Sequence, residues 1–184
     1  MFYSVDVETG HTIPIQGALL TVGIVAVDYV GESWRKVDNL YVHLAYDEKS
    51  FDEDTMDNFW KDEKKVSDEA RQEAFDWRLS RVHPASAAVM IADFVANRSE
   101  QKQSFFVASP VSFDHAWIDM LFATSGIKTP FSHRTLCLRS MAFGMNGGEF
   151  GQSRGAEHAP KIPHHALYDA DAQADQLIDM LNLL

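Results

Sequence analysis

The sequence predicts a single α/β domain over residues 1–184, built on a mixed sheet flanked by helices. Two observations carry this. The N-terminal third holds three β-rich segments joined by turn-forming residues, which favours an antiparallel meander. The rest of the chain alternates helical and extended patterns, which extends such a sheet into an α/β layer structure. A chain of 184 residues suits one sizeable core.

Taken in order, the first strand is the short apolar stretch around Tyr3, Val5 and Val7. After a turn-rich stretch, residues 18–27 form a long apolar run and read as the second strand. Gly31, Glu32 and Ser33 punctuate a turn, and residues 34–44 read as the third strand. A helical region follows. Ser67 is an N-cap with Asp68 and Glu69 in the first turn, where they complement the helix dipole. Pro84 suits the first turn of a helix carried on by Ala87, Met90, Ile91, Phe94 and Val95. Residues 105–108 read as a buried strand broken by Ser109 and Pro110. A helix then begins near Ser112, with Phe113, Ala116, Trp117, Met120 and Leu121 at helical spacing and Gly126 as its stop. A short strand or turn is expected at 131–135 and a helix at about 136–143. Residues 144–163 form the one long irregular segment, placed to act as a flap ahead of His164. Leu167, Ala170, Ala174, Leu177, Ile178 and Leu181 give a C-terminal helix with one apolar stripe.

Composition narrows the function classes. The formal net charge of -11 argues against a passive nucleic-acid coat, because non-specific phosphate affinity comes largely from Lys and Arg. It does not exclude a nuclease, since bound metal ions invert the local charge of a site. The acidic excess lies between Asp47 and Asp76 and reads as a solvated face. Arg134, Arg139, Arg154 and Lys161 come later and are candidates for a nucleic-acid backbone, or ordinary surface charges. Cys137 is the single cysteine and cannot form an internal disulfide. No apolar run is long enough to span a membrane, and the N-terminus lacks the basic region of a leader, so a cytoplasmic location is expected.

The chemistry-bearing residues are acids in unusual settings. Asp6 and Glu8 stand two apart on the first strand, so both point to one face of the sheet. Close carboxylates repel, and burying them is costly unless a hard cation such as Mg²⁺ or Mn²⁺ lies between them. The plain alternative is charge placed on an edge strand against mispairing. Asp114 sits in the first turn of the helix after the 105–108 strand, where complementing the helix dipole is its alternative role. Asp169 lies in the early turns of the C-terminal helix, five residues after His164.

Together these segments resemble a known superfamily. Asp-x-Glu-Thr near the N-terminus, Ser-Phe-Asp in the middle and His-x-Ala-x-x-Asp near the C-terminus look like the three motifs of the DEDDh exonucleases, in the right order and across nearly the whole chain. His164 matches the histidine of the last motif, whereas His165 has the spacing of the tyrosine-type relatives. The middle motif departs from many relatives, which carry an Asn just before the Phe-Asp where this chain has Ala108 to Val111. A narrower likeness joins the Thr55 to Trp60 stretch and the Ser67 to Arg71 stretch to ribonuclease AS-type bacterial and phage exonucleases, with Phe59 where those carry a first Trp. That group contains enzymes acting on RNA and others acting on DNA.

The resemblance implies a ribonuclease H-like fold and a metal-dependent 3′-5′ exonuclease that releases nucleoside 5′-monophosphates. Asp6, Glu8, Asp114 and Asp169 would hold two Mg²⁺ or Mn²⁺ ions roughly 3.5–4 Å apart, and His164 would be the general base. Thr9 and His11 are candidates for gripping the terminal nucleotide, and Arg154 for the backbone. Phe59 and Trp60 would stack on bases, or else pack a helix into the core. The implied partner is single-stranded nucleic acid or a 3′ overhang, leaning to RNA with DNA as the alternative. Relatives are often homodimers, and a homodimer is carried as an expectation. The rival from another class is a non-catalytic nucleic-acid-binding module on the same fold, whose mark would be a lost metal acid. A hydrolase of non-nucleic phosphodiesters is the third reading.

Overall fold

A computed structural model describes residues 1–47, 50–76, 78–99, 102–149 and 158–183. Among these residues five strands form one sheet: β1 (Phe2–Thr9), β2 (Leu19–Val30), β3 (Ser33–His43), β4 (Phe105–Ala108) and β5 (Thr135–Cys137). Their order is β3-β2-β1-β4-β5. The first three strands pair antiparallel, the meander that their order favours, and β4 and β5 join in parallel. The helices are α1 (Glu53–Thr55), which runs into a π-helical turn (Met56–Trp60), α2 (Asp68–Phe75), α3 (Pro84–Ser99), α4 (Val111–Ser125), α5 (Leu138–Met145) and α6 (Ala166–Leu181).

The period-two alternation of β1 divides the molecule into layers. Tyr3, Val5 and Val7 share one core with Ile24, Phe106 and residues of α3 and α4. The opposite face packs Val25, Val27 and Val107 against Leu138 of α5 and Ala170, Ala174 and Leu177 of α6. A third cluster joins Leu20 to Trp60, Val66, Ala70 and Ala74, and so fastens the α1–α2 segment over the end of the sheet.

Local signals held where they were strongest. Ser67 caps α2 through its hydroxyl, which accepts from Ala70 N at 3.2 Å. Gly126 ends α4 in the left-handed region, at φ 66°. The strand or turn expected at 131–135 resolves into bends through residue 134 and a strand at Thr135–Cys137. Phe131 is buried against Tyr3 and Phe106 from a bend, so its apolar character serves the core without strand pairing. The helix that follows is displaced with it, to Leu138–Met145. Among the described residues no helix is long and apolar enough to cross a membrane.

Candidate active site

The site forms where β1 outruns its parallel neighbour. β4 pairs with β1 only along Phe2, Tyr3 and Ser4, so the second half of β1 projects past it. A cleft of about 800 Å³ opens there, lined among others by Asp6, Glu8, Thr9, Phe59, Asp114, His164, Asp169 and Gln173. Such a crevice at the carboxyl ends of strands, where pairing changes direction, is a usual ligand position in α/β sheets. A register irregularity between Glu8 and Thr9 sits at its edge, a common place for a bulge to re-aim a side chain.

Three elements bring the acids together. Asp6 and Glu8 leave β1 on the α6 face, and one oxygen from each lies with one from Asp169 within a mutual 4.8 Å. Asp114 stands beside them, with Oδ1 accepting from Val7 N at 3.1 Å. That bond satisfies a β1 amide left without a strand partner and holds the first turn of α4 against β1. Asp169 reaches the cluster because α6 docks on β2 at Gly23, the residue opposite Asp6. A Cβ at Gly23 would stand 2.3 Å from the carbonyl carbon and oxygen of Ala166.

The electrostatics are those of carboxylates crowded out of water. Burial, followed by the charges of Asp114, Glu8 and Asp169, pushes Asp6 well above the ordinary carboxylate range. Burial and the charges of Asp169 and Asp114 do the same to Glu8. Burial raises Asp114 to about 7, against the pull of backbone N–H groups. Burial raises Asp169 to about 6, opposed by the backbone N–H groups of His165 and His164. A divalent cation suits this donor set, because hard oxygen ligands that repel one another are relieved by a charge between them. Gln173 Nε2 donates to Asp6 Oδ1 at 2.8 Å and orients that carboxylate.

The two adjacent histidines part company. His164 lies on the cleft with its ring edge-on to Phe59 at 4.8 Å, and burial lowers its pKa, which keeps the ring neutral. His165 turns away, stacked on Tyr41 at 4.8 Å and against Tyr168 at 4.3 Å. The switch between them is made by His164, whose φ is 63°.

The other expected residues divide. Thr9 and Phe59 line the cleft. Trp60 does not: it is 1% exposed, and its Nε1 donates to the Thr9 carbonyl at 2.9 Å. The expectation that Trp60 stacks on a base is corrected, because its ring is packed against Phe59 and Phe75 in the third cluster and it shapes the cleft from behind. His11 is outside the cleft lining, and its Nδ1 accepts from Ile13 N at 2.9 Å, which makes it a loop-forming residue. Its expected grip on the terminal nucleotide has no counterpart in the cleft lining. Arg154 lies outside the described residues. Of the other late basic residues, Arg139 lines the cleft, and Lys161 instead lies over the Tyr168 ring at 5.3 Å. Lys65, not singled out in the sequence, lines the cleft as well. Gln173 was also missed; its position four residues after Asp169, one helical turn on, is the signal that would have found it.

Comparison with known proteins gives this arrangement a class. The fold is the ribonuclease H-like fold of the DEDDh 3′-5′ exonucleases, as in the nuclease domain of 3′hExo bound to rAMP. That structure matches with a TM-score of 0.65 and 12% identity, over 98% of this chain and 91% of the other. S. pombe Pop2p, in its Mg²⁺- and Mn²⁺-bound form, matches with a TM-score of 0.62 and 12% identity, over 97% and 82%. The chain belongs to the 3′-5′ exoribonuclease Rv2179c-like domain family, which matches residues 1–180. It is also 26% identical, over 196 aligned residues, to the 3′-5′ DNA exonuclease Cap18 of Escherichia coli, across 99% of this chain and 93% of that one. The protein is thus a 3′-5′ exonuclease, a hydrolytic nuclease.

Proposed function

We propose that residues 1–184 act as one metal-dependent exonuclease domain that removes nucleoside 5′-monophosphates from the 3′ end of a single strand or overhang, with RNA as the preferred substrate. The observation that carries this reading is the meeting of Asp6, Glu8 and Asp169 oxygens within 4.8 Å on the cleft that His164 also faces. Asp6, Glu8, Asp114 and Asp169 hold the divalent ions, Mg²⁺ or Mn²⁺. When bound, a pair of such ions polarises the scissile phosphate and stabilises charge on the attacking and leaving oxygens.

The chain's own residues do the rest. Gln173 fixes the rotamer of Asp6 through its 2.8 Å bond. His164, kept neutral by burial, takes a proton from the attacking water on a ring nitrogen. The new bond forms from water oxygen to phosphorus, and the bond from phosphorus to the 3′ oxygen breaks. The shortened strand keeps a 3′-hydroxyl and the released nucleotide keeps its 5′-phosphate. Phe59 offers a ring face at the cleft for the terminal base, and Arg139 and Lys65 offer cationic contacts to the incoming backbone.

The RNA preference rests on the family, which is described as exoribonuclease. DNA is the second reading, favoured by the likeness to Cap18. Matched 5′-labelled RNA and DNA oligonucleotides, digested with Mg²⁺ or Mn²⁺, test both. The expected result is a ladder shortened from the 3′ end with 5′-monophosphate products, faster on RNA. Internal cuts or 3′-phosphate products overturn the geometry, and a faster DNA ladder overturns only the preference.

A further inference from the structure

We propose that the substrate strand leaves the metal site along α6, and that Arg139, Gln176 and His158 grip the phosphate on the 5′ side of the penultimate nucleotide. The inference rests on the exonuclease reading and deepens it, by giving the strand a direction and a second binding point.

The cleft extends to both sides of the acids. Just before α6, His164 meets the Phe59 ring at 4.8 Å, and these two close one end of it. From there α6 carries the lining away. Asp169, Ala172, Gln173 and Gln176 stand at the i, i+3, i+4 and i+7 positions of one helix face, and all four line the cleft. Seven residues of helical rise span about 10 Å, so Gln176 lies well past Asp169, on the side away from Phe59. Leu177 of α6 packs in one cluster with Leu138 of α5, and Arg139 is the next residue of α5. His158 lines the same end. Its Nε2 is bonded to Asp179 Oδ2 at 2.9 Å, and Asp179 lies three residues beyond Gln176 on α6.

Charge distinguishes the two ends. A nucleic-acid backbone is a row of anionic acceptors, so it is held by donors and cations that the protein has not already paired. Near Phe59 the cation on the cleft is Lys65. Its Nζ already donates to the Asn58 carbonyl at 2.6 Å and lies 3.7 Å from Asp62. At the far end Arg139 is exposed, and its guanidinium has no carboxylate partner among the described residues. The Gln176 amide likewise has no hydrogen-bond partner among them. An unpaired guanidinium beside an amide donor and a tethered imidazole fits a phosphate, which a guanidinium takes through two parallel N–H bonds. Ala172 precedes Gln176 on the same face and carries only a methyl group, so the strand can lie close to the helix there. With the scissile phosphate at the acids and the terminal base at Phe59, the 5′ side of the strand runs towards Gln176.

The test uses three substrates, made as RNA and as DNA: a dinucleotide whose only phosphate is the scissile one, the same dinucleotide with a 5′-phosphate, and a single strand of about twelve nucleotides. The readout is the gain in kcat/KM from the first to the other two. Arg139→Gln should remove about ten- to a hundredfold of that gain, through KM. It should also lower the slope of log affinity against log salt for the long strand by about 0.7, the mark of one lost phosphate contact. Gln176→Ala and His158→Ala should each remove about three- to tenfold. Gln176→Lys should enlarge the gain, which a damaged fold would not do. Lys65→Gln should slow all three substrates alike. A strand running the other way would reverse the pattern, with Lys65→Gln erasing the gain and Arg139→Gln sparing it, and that result overturns the proposal. Fluorescence anisotropy of a 5′-labelled strand, with Ca²⁺ in place of Mg²⁺, reads the same variants without turnover. A wild type indifferent to the 5′-phosphate, or equal strand binding by wild type, Arg139→Gln and Gln176→Lys, also overturns the proposal, while shortening from the 3′ end leaves the exonuclease reading standing. A wild type inactive on every substrate overturns that reading, and the anisotropy series then decides the groove alone.

Discussion

The two walls of the cleft are built on different physical terms. One wall carries the acids, from β1 and from the first turns of α4 and α6, and each acid sits where the regular structure of its element sends it. The other wall is the α1–π-turn–α2 segment, whose residues are placed by packing onto the sheet end through Trp60, Val66, Ala70 and Ala74. The first wall concentrates charge that the fold alone does not neutralise. The second supplies stacking surface and support. Chemistry should therefore fail when the first wall is changed, and stability or substrate grip when the second is.

The largest break is expected at the first wall. Asp6→Asn or Asp169→Ala should abolish turnover while leaving the metal-free fold as stable as wild type or more so, because a repelling buried charge is removed. Product ladders and melting curves in chelator check both halves, and wild-type turnover in either variant removes the acid from the mechanism. His164→Ala comes next. A loss of about 10²–10⁴-fold in kcat is expected from a missing general base, with the Mn²⁺-induced rise in melting temperature retained. His165→Ala should cost less, and the reverse ranking would exchange the roles of the pair.

At the second wall, Trp60→Ala should destabilise the protein by about 3–5 kcal/mol, the usual cost of deleting a buried aromatic ring. Phe59→Ala should fold normally and raise KM on single strands, by a factor that stacking energies of about 1–3 kcal/mol per base would bound. A Trp60 variant with unchanged denaturation midpoint but raised KM would collapse the distinction between the walls.

The smallest effect is in pH. Asp114 at about 7 and Asp169 at about 6 lie above the range of an unfolded carboxyl, so the folded protein binds protons more tightly. Their contribution is fully present below about pH 4 and is lost as pH rises through 6 and 7. Asp76, held at about 2 by Arg78, acts in the opposite sense, but its contribution is lost only in strong acid. Chelated protein should therefore melt progressively lower from pH 5 to 8. Asp114→Asn should flatten that slope, and divalent ions should remove it. Differential scanning calorimetry across that range is the measurement, and a flat wild-type profile would contradict the crowding of the acids.

The same contrast explains what could be read from the sequence. The spacing of Asp6 and Glu8, the position of Asp114 after a strand and a break, and the stripe that carries Asp169 are all local patterns, and local patterns predict a shared face. The sheet's mixed character was legible from its element order. Trp60 was ambiguous because a ring that stacks on bases and a ring that fills a core have the same sequence signature; only its contact with Thr9, 51 residues away in the chain, decides. The stretch from Phe131 to Thr135 left strand and turn open for a similar reason: an apolar ring paired in a strand and one that reaches the core from a bend look alike in the sequence, and Phe131 is the second.

Gly23 gives the site its mechanical tolerance. The gap between β2 and the start of α6 has no room for even one methyl group, so strand and helix meet backbone to backbone. In that arrangement the spacing of the backbones that carry Asp6 and Asp169 is set by peptide planes, which do not change rotamer as side chains do. A dimension that a nuclease must hold over every turnover is thus assigned to the stiffest parts of the chain. This glycine works as a machined seat, against which the acids of strand and helix are placed.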